Sequence, residues 1–122
     1  MKKELVYIAS PYTVGDKLEN VRLQIDAWHM LRDAGMVPIA PLLTHYMEEV
    51  RHRDYEDWLD YDFSLISICQ KVVRLRPHFN GVERPSSGAD REQEEATRLG
   101  IEFLSFDSLE ELKEQFILKP AN

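Results

Sequence analysis

The sequence predicts an α/β fold in three layers, with a parallel sheet of four to five strands in the order 2-1-3-4 and helices on both faces. Two observations lead there. Short β-branched and aromatic runs alternate with longer stretches of helical period along the whole chain. Such alternation favours parallel strands joined by helical crossovers. The second short run contains Pro38, which cannot donate to a ladder, so that strand belongs at the sheet edge.

Residues 4–9, "ELVYIA", form strand one, and "SPYT" ends it because Ser and Pro break the pattern. From Asp16 to Ala34 the residues Leu18, Val21, Ile25 and Trp28 recur at helical spacing, and Gly35 is the stop. "MVPIA" is strand two. The stretch 41–53 reads as a loop with a helical turn covering the strand ends. Residues 54–68 return to helical period, and "KVVRL" at 71–75 is strand three. A polar loop with Pro77, Gly81 and Pro85 leads to a helix within 86–100, closed by Gly100. "IEFLSF" is strand four, and "SLEELKEQFI" is an amphipathic helix capped by Asp107 or Ser108. The tail "KPAN" is expected to fray.

The chain has 122 residues, enough for one domain, 1–122, with a core of its own. Its net charge of −7 argues against a grip on polymeric nucleic acid, which needs a basic face. A local cluster still suffices for one phosphate. The lone cysteine, Cys69, excludes an intramolecular disulfide and fits a reducing compartment. No apolar run approaches a membrane span, and the start "MKKELVYIAS" is too short and too soon acidic for a signal peptide. The expected location is the cytoplasm, with no membrane partner. Internal repeats and low-complexity segments are absent.

Two acids fall on the wrong side of their helices. In "SSGADREQEEATRLG", Ala89, Ala96 and Leu99 form the apolar stripe, and Glu92 lies among them. In the helix 54–68, Tyr55, Trp58, Leu59, Leu65, Ile66 and Cys69 share a side with Asp62, whereas Asp57 and Asp60 point away. Burying a carboxylate is costly without a partner. Each acid is either a half-exposed partner of an arginine near a helix end or part of a site. Two at once, on helices whose ends can meet, favour the site. In an open parallel sheet that site lies beyond the carboxyl ends of the strands, at the point where strand order reverses. There "SPYT" brings Ser10 and Tyr12, and the loop at 77–87 brings Ser86, Ser87 and Gly88. Ser87, three residues before Asp90, reads as an N-cap, with the N–H groups of Ser87, Gly88 and Ala89 turned outward as at an anion site. Tyr12 and Trp58 either stack on a base or fill the core. His45, His52 and Asp54 match no common zinc spacing.

"VYIASPYT", "DYDFSLISIC" and "SSGADREQEEATRLG" together resemble the nucleoside 2-deoxyribosyltransferase superfamily, which includes deoxynucleoside 5′-monophosphate N-glycosidases, over roughly residues 4–105. The resemblance implies a Rossmann/flavodoxin-like fold. It also implies that Glu92 is the nucleophile, that Asp62 faces the base, that Tyr7 stands beside the nucleophile, and that Ser86 holds a 5′-phosphate. The chain departs from the family at Gln70, where many members carry an acid. It departs again at the longer "RPHFNGVERP", where members often have a short Pro-Gly turn, and at "SPYT", which replaces the glycine- and arginine-rich loop of the nucleotide-cleaving branch.

The expected reaction is cleavage or transfer at the N-glycosidic bond of a nucleoside or nucleoside 5′-monophosphate, through a glycosyl-enzyme on an ionised Glu92. Asp62, its pKa raised by apolar surroundings, shares a proton with the departing base, and Tyr7 orients Glu92. A phosphate would sit on Ser86 and Ser87, helped by Arg84, Arg74, Arg76 or His78. The chemistry needs neither metal nor organic cofactor. A homodimer or higher homo-oligomer is implied by the resemblance only. Two other readings compete: a non-catalytic nucleotide-binding or regulatory module using the same crevice, and an interaction protein using "EEATRLGIEF" and the acidic last helix as partner surfaces.

Overall fold

A computed structural model describes residues 3–79, 82–83 and 85–118. The expected fraying of the tail and the placement of Gly81 and Arg84 lie outside those residues. The main sheet contains β1 (Leu5–Ala9), β2 (Val37–Ile39), β3 (Lys71–Leu75) and β6 (Glu102–Phe106), all parallel in the order β2-β1-β3-β6. Counted along the main sheet this is the expected order 2-1-3-4, with Pro38 on an edge strand. A two-stranded antiparallel pair, β4 (His78–Phe79) and β5 (Val82–Glu83), occupies the stretch expected to be loop.

Period-two alternation divides the core. Val6, Ile8, Val73, Leu75 and Phe106 face α1 (Lys17–Asp33) and α5 (Leu109–Lys113), where they meet Ala27, Leu31 and Leu112. Tyr7, Ala9 and Val72 face the other way, onto Ile66 of α3 (Tyr55–Ile66) and Ala89 and Ala96 of α4 (Ser87–Leu99). Both sheet faces are therefore covered, as a parallel sheet requires. No helix among the described residues is long and apolar enough to cross a membrane.

Several local expectations are corrected. The inner face of α1 is not the stripe of bulky apolar residues: Leu18 is 61% exposed, while Asn20, Val21, Gln24, Ala27 and Leu31 are buried. The spacing of 20, 24, 27 and 31 is also helical, so the helix has rolled to bury two amides that have work at the strand ends. The stretch 41–53 holds a 3₁₀ turn at Pro41–Leu43 and a further helix, α2 (Thr44–Val50). Tyr55 and Leu99 are exposed, because each sits at a helix end beyond the packed centre. The N-cap of α4 is Ser86, not Ser87: its hydroxyl accepts the Ala89 N–H at 3.1 Å. The helix ends on Gly100 in the left-handed region, φ 71°. Ser108, not Asp107, caps α5, which continues as a wider π turn over Glu114–Leu118.

Candidate active site

A cleft of about 400 Å³ opens beyond the carboxyl ends of β1, β2 and β3. The segment after β1 supplies Ser10, Tyr12 and Thr13, and the segment after β2 supplies Pro41 and Leu42. Thr44, His45 and Glu48 come from α2. Trp58, Leu59 and Asp62 come from α3, and Ser86, Ser87, Gly88 and Glu92 come from the start of α4. Ser10, Tyr12, Trp58, Ser86, Ser87 and Gly88, all singled out from sequence, thus share one cavity with both misplaced acids.

Tyr7 lies behind the cleft, fully buried, and its hydroxyl donates to Glu92 Oε2. Alternation along β1 decides this placement, since Tyr7 points to the α3 and α4 face whereas Val6 and Ile8 point to α1. The same hydroxyl lies near enough to Asp62 to lower its carboxyl, so one phenol, hydrogen-bonded to Glu92, stands beside two carboxyls from different helices. Asp62 Oδ1 is buried with no hydrogen-bond partner among the described residues.

Burial raises Asp62 to about 7, partly offset by the Tyr7 bond. Glu92 is raised to about 8, first by burial and then by the Asp62 charge, against the Tyr7 bond and the Arg74 charge. The sequence reading has Glu92 ionised beside a raised Asp62; the surroundings raise both acids. Glu92 lies more than a turn inside α4, where the helix terminus contributes little to hold a charge. Tyr7 is raised well above its ordinary value by burial and by the same two acids, so it stays a donor. Two carboxyls that raise one another titrate as a unit, and between about pH 7 and 8 they hold roughly one proton between them.

Two of the basic residues expected to help a phosphate, Arg74 and Arg76, are engaged elsewhere. Arg74 is buried and pairs with Asp90 Oδ1 at 2.8 Å and Gln93 Oε1 at 2.8 Å, which anchors α4 to β3. Arg76 pairs with Glu83 across the base of the hairpin. Neither they nor His78 line the cleft; among the described residues Lys17 and Arg53 do, together with His45 and His52. Among the described residues no three of His, Cys, Asp and Glu gather as a metal site would need.

Three positions that shape the cleft escaped sequence reading. Gln24 donates to Ile8 O at 3.1 Å and Ser10 Oγ at 2.9 Å, and accepts the Leu42 N–H at 2.8 Å, tying the ends of β1 and β2 together. Asn20 donates to the carbonyls of Tyr12 and Val14, both at 2.9 Å, which sets the loop after β1. Glu48 accepts the Arg53 backbone N–H and the Trp58 indole N–H, both at 2.8 Å, and its second oxygen meets His52 Nδ1 at 2.7 Å. Those bonds, the Arg53 N–H foremost, lower Glu48 to about 2. His45, considered from sequence only as a metal ligand, is buried with Nδ1 2.5 Å from the Tyr12 hydroxyl and Nε2 2.9 Å from Glu49 Oε1.

A solved 2-desoxiribosyltransferase from Leishmania mexicana superposes with a TM-score of 0.62 at 18% identity, over 84% of this chain and 63% of that one. The chain therefore spans less than two thirds of that protein. The four-stranded parallel sheet with its helices matches the nucleoside deoxyribosyltransferase fold. No curated protein matches the sequence. Residues 4–106, from just before β1 to the end of β6, match one family model throughout, and the chain belongs to the family described as a domain of unknown function, DUF7768.

Proposed function

We propose that the protein cleaves or transfers the N-glycosidic bond of a nucleoside or nucleoside 5′-monophosphate, with Glu92 as nucleophile. The observation that carries the proposal is the pair of acids Glu92 and Asp62, which come from different helices, line one cleft and share Tyr7 as a neighbour, its hydroxyl bonded to Glu92. The departing base needs a proton, and the sugar needs an anion as C1′ becomes cationic. A carboxyl pair holding a single proton supplies both at once.

As positive charge grows at C1′, the ionised form of the pair is favoured on Glu92, the residue that attacks, and the proton is favoured on Asp62. A Glu92 oxygen bonds to C1′, the C1′–N bond breaks with its electron pair going to the base, and Asp62 protonates the base. In the second half an acceptor, water or another base, bonds to C1′ and gives its proton to Asp62, and the Glu92 carboxylate leaves. The positive end of α4 suits a 5′-phosphate. Ser86 accepts the Ala89 N–H, so the N–H groups of Ser87 and Gly88, which have no acceptor inside the helix, are the ones offered to it.

The test is to incubate the protein with deoxynucleosides, ribonucleosides and their 5′-monophosphates and to measure free base. Glu92→Ala should abolish release while leaving binding intact. Binding of a nucleotide by the wild type with no release from any substrate would overturn the enzyme reading in favour of a nucleotide-sensing module.

A further inference from the structure

Glu48 lines the cleft on the side where α2 meets α3, and its surroundings are unusual for a glutamate with so much solvent nearby. Its Oε1 is saturated by two donors fixed by the fold, the Arg53 backbone N–H and the Trp58 indole N–H. Its Oε2 has one donor, the Nδ1 of His52, whose side chain is 79% exposed. A carboxylate has about four lone-pair sites and no donor. One site on Oε2 therefore remains, beside a cleft and beside the ring that Glu48 itself holds in place.

We propose that Glu48 is a specificity-determining residue: it fixes Trp58 as one wall for a heterocyclic base and offers its remaining lone pair to an N–H donor on that base, selecting amino-substituted bases over their oxo counterparts. The inference rests on the nucleoside reading of the cleft and adds the class of base to it. An exocyclic amino group donates to the carboxylate. An oxo group in the same place sets a lone pair against a fixed negative charge, which is a repulsion as well as a lost bond. Trp58 and Asp62 lie one turn apart on α3 and both line the cleft, so base reading and base protonation share one wall.

The chain has two tryptophans, and Trp28 packs into the core on the α1 side with its indole N–H on Pro38 O at 3.0 Å. Trp28→Phe therefore leaves Trp58 as the sole indole reporter. In that background, quenching of emission is titrated with 2′-deoxyadenosine and 2′-deoxycytidine 5′-monophosphates and with their oxo counterparts, the 2′-deoxyinosine and 2′-deoxyuridine monophosphates. The expected result is at least one amino compound binding about tenfold or more tighter than its oxo counterpart. Glu48→Gln keeps an oxygen for the Trp58 and Arg53 donors but replaces an acceptor by an amide, and the preference should fall to within about threefold with emission still responsive. Equal affinities in the Trp28→Phe protein, a preference that survives Glu48→Gln, or no quenching by any of the four overturns the proposal. Discrimination in binding without base release sinks the enzyme reading and leaves this one standing; base release without discrimination does the reverse.

Discussion

Replacing Glu92 by glutamine should stabilise the protein, and more so as pH rises. In the unfolded chain this carboxyl ionises near its ordinary value of 4.5, and in the folded protein it holds its proton up to about 8. Between those values the folded state binds more protons than the unfolded one, so wild-type stability falls with rising pH and levels off above about pH 8. At about 1.4 kcal/mol per tenfold change in acidity, the full interval corresponds to an upper bound on the order of 5 kcal/mol. Relaxation and water entry around the charged form reduce this, and about 2 kcal/mol should survive, roughly 6–12 °C in Tm for a chain of this size. Glutamine keeps an acceptor for the Tyr7 hydroxyl and carries no charge. Thermal melts of both proteins from pH 4 to 9 should nearly coincide at pH 4 and separate steadily to pH 8. Asp62, raised to about 7, tilts both curves in the same direction. Parallel curves, or a gap that closes as pH rises, would refute the burial argument.

If the carboxyl pair acts with one proton, kcat/KM should follow a bell with apparent values near 7 and 8, which a pH series with buffer controls would show. Tyr7→Phe removes a bond that lowers both acids, so the acidic limb should move to higher pH and kcat should fall about ten- to a hundredfold, measured as base release. Gln24→Leu strips the Leu42 N–H, the Ile8 carbonyl and the Ser10 hydroxyl of a partner, and urea unfolding should report a loss of about 1–3 kcal/mol. Gly100→Ala meets nothing within 4 Å but forces a side chain into the left-handed region, so its cost, about 1 kcal/mol by the same measurement, is purely conformational.

The sheet was legible because its strands are dense in β-branched residues and because Pro38 marked an edge. The two acids were legible because angular counting needs only one helix at a time, and Glu92 among Ala89 and Ala96 cannot be moved to the outer face without exposing them. Where the count failed, on α1, bulk had been taken as the guide to burial. Asn20 and Gln24 are buried because they satisfy backbone groups of loops far away in sequence, and no local pattern records those partners. Glu48 was missed for the same reason: its donors lie five and ten residues on, across a turn whose path depends on α2. The two-stranded pair at 78–83 was hidden by strands of two residues each, too short for alternation to register. The state of Glu92 needed the neighbouring charge of Asp62, which only tertiary structure supplies.

Tyr7 is held on both sides within the sheet, aligned with Ile39 of β2 and Val72 of β3. A pairing error of a single residue along β1 would turn the phenol over, beneath α1, and leave the acids on α3 and α4 without their common neighbour. Such a chain would keep most of its hydrogen bonds yet be chemically silent. The bond from Tyr7 to Glu92 thus doubles as a proofreading mark: only a sheet assembled in the right frame acquires it.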